Sequence, residues 1–174
     1  MENLDTFLHW RVLRTTLLAR SVRPARHPSF VLYFVVAVLL VGAAGVWFEL
    51  HKLIFDMSAT RSLSAIRTSL VTFFPALAGS ACMQIVLAED EHKSMRAVAV
   101  CLLTGLSILA LVISPATVGD VLALVLAAVG SVVALWTWWI ANALQRDLQD
   151  GPDAAIGKAD ASSGLVGTLD GFRA

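Results

Sequence analysis

Charge is scarce in this chain. Asp, Glu, Lys and Arg make up 15% of its 174 residues and cancel to a net charge of zero, against about 25% in soluble domains. With no basic excess there is no field to gather nucleic acid. The two cysteines, Cys82 and Cys101, stand in neither a CxxC nor a zinc-finger spacing, which removes paired-thiol redox chemistry and a cysteine-based metal site. No GxSxG, HExxH or phosphate-loop pattern occurs. What fills the chain is apolar sequence, 57% of residues, more than the core of a soluble domain of this size can cover. The composition implies a bilayer as solvent.

Four uncharged runs carry that reading: Ser29–Phe48, Thr68–Ala88, Ala97–Ser114 and Val121–Leu144, of 20, 21, 18 and 24 residues. At 1.5 Å per residue they are roughly 27–36 Å long, matching a hydrocarbon core of about 30 Å. Backbone groups in lipid must be satisfied within the segment, so the runs are predicted to be helices. The first run follows 28 residues and precedes no convincing cleavage site, so it is expected to stay in the protein. The fold expected is an all-α, four-span transmembrane bundle (domain 29–144), between an N-terminal segment (1–28) and a flexible tail (145–174).

An even number of spans puts both termini on one side. Arg11, Arg14, Arg20, Arg23, Arg26, Lys93, Arg96, Arg146, Lys158 and Arg173 fall on that side, and Lys52, Arg61 and Arg67 on the other. The positive-inside rule then makes the termini and the 89–96 connection cytoplasmic, in a bacterial inner membrane. Trp136, Trp138 and Trp139 near one end of the last run, and Trp47 and Phe48 ending the first, fit interfacial aromatics.

Outside the spans, residues 1–28 are basic and partly amphipathic. Leu4, Phe7, Leu8 and Leu18 share a helical face that Arg11 interrupts, and Arg11, Arg14, Arg20, Arg23 and Arg26 are candidates for anionic lipid at the membrane surface. An ordinary positive flank is the plainer alternative. In the 49–67 loop, Leu50, Leu53, Ile54 and Met57 recur at helical spacing and predict a short helix. Asp120 is expected to cap the fourth span.

The stretch "AEDEHKSMRA" at 88–97 holds the densest charge. Adjacent ligand types fan out around a helix and converge poorly on one ion, and no span supplies further carboxylates, so no metal and no cofactor is expected. The plain reading is a solvated helix–helix turn; the functional one is docking of a cytosolic protein through Glu89, Asp90, Glu91, His92 and Lys93. The spans contain no Asp, Glu, Lys, Arg or His, which argues against proton-coupled transport and intramembrane catalysis. A non-enzymatic protein is expected. Small and hydroxylated residues line the second span (Thr68, Ser69, Thr72, Gly79, Ser80, with Gln84 at the edge) and the fourth (Ala123, Ala127, Gly130, Ser131, Ala134, Thr137). Each stripe serves packing within the bundle or homo-oligomerisation, and the second could line a polar path, with Pro75 as its kink.

The four-span plan and the hairpin "FFPALAGSACMQIVLAEDEHKSMRA" resemble the small four-span membrane subunits of bacterial phage-defence systems, such as the membrane component of Kiwa. The resemblance implies an oligomeric membrane sensor or effector for antiviral defence that recruits a cytosolic partner. A holin-like pore and an accessory scaffold subunit are the rival expectations.

Overall fold

The structure, a computed structural model, describes residues 2–55, 63–88, 91–114 and 118–150, with side chains from Trp10 onward except that of Arg146. Every regular element among them is helical: α1 Glu2–Val22, α2 Pro28–Tyr33, α3 Ala44–Phe55, α4 Leu63–Leu87, α5 Lys93–Ile113 and α6 Asp120–Asn142. A 3-10 turn at Arg23–Arg26 links α1 to α2, and a π-helix at Phe34–Gly42 links α2 to α3. Helices α4, α5 and α6 are each long and apolar enough to cross a membrane, and α1–α2 with the π-segment would be a fourth only as a broken span, since its two halves meet at 92°.

The three long helices cover the last three uncharged runs. Helix α4 packs most extensively on α6 and next on α5, while α5 and α6 touch each other far less. The face that α4 turns inward carries Ile66, Phe74, Ala78, Ala81, Cys82 and Ile85, the three-and-four spacing of a helix that buries one side. Phe74 packs closely against α6 because Gly130 leaves room: a Cβ there would stand 3.2 Å from the Phe74 ring and from Leu109. Ala123, Ala127 and Ala134 complete this close approach.

The first run departs from the single helix expected over 29–48. It begins as α2, widens into the π-helix, breaks at Ala43 and resumes as α3. Two causes are visible. Phe30 and Phe34 are pinned edge-on to Trp139, with ring centroids 4.9 and 5.0 Å away, while Phe30, Tyr33 and Phe34 all pack on Trp138. Gly42 and Gly45 flank the break, where glycine costs a helix about 1 kcal/mol relative to alanine. The Trp47 indole donates to Leu39 O across the break at 2.7 Å, supplying a donor beyond the regular ladder. Leu50, Leu53 and Ile54 lie on α3, whereas Met57 falls outside the described residues.

Residues from 145 on, expected as a flexible tail, make specific contacts as far as Asp150. Leu148 packs on the Phe30–Trp138 cluster. The Asp150 carboxylate accepts from the Ser29 hydroxyl and, at 3.1 Å, from the Ser29 N–H. Helix α2 has no side-chain cap of its own, so a carboxylate 121 residues downstream fills that role at the positive end of its dipole.

Candidate functional site

Polar side chains gather where α4 ends, α5 begins and α6 ends. Arg96 turns back to donate to Ala88 O at 2.6 Å, satisfying a carbonyl that the last turn of α4 leaves open. Glu91 lies in this α4–α5 connection, and its Oε1 is 2.6 Å from Arg20 Nη2. The two side chains are only 11% and 9% exposed, an ion pair largely withdrawn from water. Among the described residues no donor reaches the buried Oε2 of Glu91.

Arg20 is delivered there by the packing of α1. Leu13, Leu17 and Arg20 share one helix face, and the two leucines pack on Cys82, Ile85, Met95 and Ala99. One residue further, Ser21 is held twice from α6: its hydroxyl accepts from the Trp136 indole at 3.1 Å and its carbonyl from the Trp139 indole at 3.0 Å. Asn142, at the end of α6, donates to Gln84 Oε1 of α4 at 3.0 Å and to Trp138 O at 2.9 Å. Helix α1 is thus latched across one end of the bundle by an ion pair and two indole hydrogen bonds.

The assignments made from sequence divide accordingly. Arg20, grouped with the lipid-facing arginines, is buried in the latch, while Arg11, Arg14, Arg23 and Arg26 are exposed. Glu91, grouped with the docking patch, is engaged inside the chain. His92 and Lys93 are exposed, and Glu89 and Asp90 lie outside the described residues. Of the apolar α1 face expected from the sequence, Leu18 is exposed, and the side chains of Leu4, Phe7 and Leu8 lie outside the described residues. Trp138 is a core residue at 7% exposure rather than an interfacial one.

The two small-residue stripes face opposite ways. On α6, Ala123, Ala127, Gly130, Ser131, Ala134 and Thr137 are all buried against the bundle. On α4, Thr68, Thr72 and Ser80 are exposed, and their hydroxyls donate to carbonyls of their own helix. Ser69 and Gly79 are half-buried, and Gln84 is exposed while bonded to Asn142. Ser69 and Thr72 line an open groove of about 350 Å³ between α4 and the Gly42–Val46 break.

At the opposite end of the bundle sits a pairing that the sequence reading missed. Arg67 Nη1 lies 2.9 Å from Asp120 Oδ1, and Arg67 Nη2 donates to Ser114 O at 3.2 Å. Asp120 does not cap α6; Gly119 holds the cap position and the carboxylate goes to Arg67. The available signal was a basic residue abutting the second uncharged run and an acid abutting the fourth. Both cysteines are free, Cys82 buried and Cys101 exposed. Among the described residues, no group of three or more His, Cys, Asp or Glu side chains is placed to hold a metal ion. Comparison with family models, curated proteins and solved structures finds no match.

Proposed function

We propose that this chain is a non-enzymatic, homo-oligomeric protein of the bacterial inner membrane, a sensor or effector that docks a cytosolic protein, in phage defence. In this reading the 29–48 run (α2, the π-helix and the start of α3) and α4–α6 form a four-span bundle with both termini and the α4–α5 connection in the cytoplasm. The Lys and Arg asymmetry supports that orientation, and the right angle at His27 suits an α1 lying along the membrane surface. The observation that carries the proposal is the buried Arg20–Glu91 pair. A pair so placed ties the acidic connection to a surface helix, and with one carboxylate oxygen left without a donor the pair itself adds little net stability to the closed form. Docking at Glu89, Asp90, Glu91, His92 and Lys93 then competes with Arg20 for Glu91, so partner binding and release of α1 are one event.

The test is native mass spectrometry of the protein drawn from its host membrane in mild detergent, beside Glu89→Lys/Asp90→Lys/Glu91→Lys and Arg20→Gln variants. An oligomer carrying a cytosolic protein that the triple variant loses and Arg20→Gln binds more tightly supports the proposal. Equal capture by all three sinks it. The outward hydroxyls of α4 favour a second reading, a pore in which Thr68, Thr72 and Ser80 face the axis of an oligomer. Liposome flux that changes in Thr72→Val supports the pore. An inert monomer leaves an accessory scaffold.

A further inference from the structure

Because α5 and α6 touch sparingly, a groove of about 740 Å³ opens beside them. Trp10 and Leu13 of α1 border it, Ala97, Cys101 and Gly105 form its floor along α5, and Val133 of α6 is its far wall. Its lining is almost wholly apolar, with Ser94 at one end. From Ser94 to Leu106 the groove follows α5 for about 18 Å at 1.5 Å per residue, close to the roughly 15 Å depth of one hydrocarbon leaflet, half the core. It starts at the latched end and stops near mid-span.

Three exposed cations adjoin lining residues in the chain: Lys93 precedes Ser94, and Arg11 and Arg14 follow Trp10 and Leu13. Of the three acids in the preceding connection, Glu91 is paired with Arg20, and Glu89 and Asp90 lie outside the described residues. Helix α5 starts at this point, and no described side chain caps its first N–H groups, which present the positive end of the helix dipole. An apolar slot one leaflet deep, with cations beside it and a helix N-terminus at its surface end, matches one molecular shape.

We propose that the groove is a binding site for an anionic phospholipid, one acyl chain lying along Ala97, Cys101 and Gly105 and the phosphate held at the α5 N-terminus by Lys93 with Arg11 and Arg14. The site depends on α1 being docked, since Trp10 and Leu13 form one wall, so the lipid is a ligand of the latched state. It does not depend on which partner, if any, the connection binds.

Gly105 offers a clean variant. A Cβ built there meets nothing within 4 Å, so the ring of Gly105→Phe enters the groove without disturbing the α4–α6 core. The protein is purified in mild detergent, incubated with phosphatidylglycerol or phosphatidylcholine, washed, and its bound lipid counted by mass spectrometry. The wild type is expected to hold a single phosphatidylglycerol per chain, and Gly105→Phe to lose it. Lys93→Gln and Arg14→Gln should each weaken phosphatidylglycerol about fivefold while leaving phosphatidylcholine unchanged. Failure of the wild type to retain phosphatidylglycerol, equal retention by folded Gly105→Phe, or equal affinity for the two lipids overturns the proposal. A second reading uses the native thiol, because Cys101 is exposed in the groove and Cys82 is buried. Phosphatidylglycerol should slow maleimide labelling of Cys101 several-fold more than phosphatidylcholine does, and identical rates would count against the site even if the glycine variant fails to fold.

Discussion

Replacing Arg20 should cost far more than replacing Arg20 and Glu91 together. With charge centres about 4 Å apart and an effective dielectric near 20, their attraction is on the order of 4 kcal/mol, and desolvation costs several kcal/mol per ion. The two desolvation penalties match or exceed the single attraction, so an apolar pair of similar volume is neutral or somewhat more stable. Arg20→Leu alone leaves a carboxylate that is 11% exposed without its cation, a loss of roughly 3–5 kcal/mol. Glu91→Leu alone is milder, because the long arginine side chain can swing its head toward water. The loss falls on the docking of α1, the helix that carries Arg20 to the connection.

Hydrogen–deuterium exchange of the amides in residues 13–22, followed by mass spectrometry in detergent, reads that docking equilibrium directly. A shift of about 3 kcal/mol corresponds to exchange faster by roughly two orders of magnitude. Arg20→Leu should reach that value, Glu91→Leu a smaller one, and the double variant should return near the wild type, held by Leu13, Leu17 and the two Ser21 hydrogen bonds. A double variant that exchanges as fast as Arg20→Leu, or three variants indistinguishable from the wild type, would refute the claim that this pair governs the latch.

Gly130→Val should lower the melting temperature through a loss of about 1–3 kcal/mol, since its Cβ would crowd Phe74 and Leu109 at 3.2 Å, whereas Gly79→Ala, whose Cβ meets open space, should gain about 0.5–1 kcal/mol. Two hydrogen bonds from Ser29 hold the Asp150 carboxyl below its ordinary value of 3.8. Its contribution is therefore fully present above pH 3.8 and is lost as pH falls through the lower folded value. Tryptophan fluorescence from the adjoining Trp138 cluster should report that loss on acidification, and Asp150→Asn should abolish the titration.

The helical class and the membrane-length segments were legible because a bilayer imposes length and hydropathy on any chain that crosses it. Break positions were less so. An uncharged run from Ser29 to Phe48 satisfies every compositional test for one helix, and only the pinning of Phe30 and Phe34 by tryptophans more than 100 residues away reveals that it must widen and turn. The cap on α2 was invisible for the same reason, since Asp150 reads locally as part of a polar tail.

Facing was the least legible property. In water, small residues on an apolar helix would be drawn inward together with their neighbours. In lipid no such force acts, and the stripes of α4 and α6 look alike in sequence while the α6 stripe is buried and the α4 stripe is half-buried to exposed. What separates them is the neighbouring face: α4 carries Phe74 opposite its hydroxyls, and a ring needs a glycine to lie against, which Gly130 provides. The charged residues obey a parallel rule. Counting Lys and Arg yields an orientation but ignores partners, so Arg20 and Arg67 enter the tally as surface charges. Each is instead buried beside a carboxylate, one at either end of the bundle. Two clamps built from four of the chain's few charges hold the α4–α6 core at one end and α1 at the other. Asp120 is 53% exposed where Glu91 is 11%. The Asp120 carboxylate can therefore be rehydrated without moving a helix, while the Glu91 carboxylate meets water only if α1 moves. That difference makes the Arg20 end the one suited to switching.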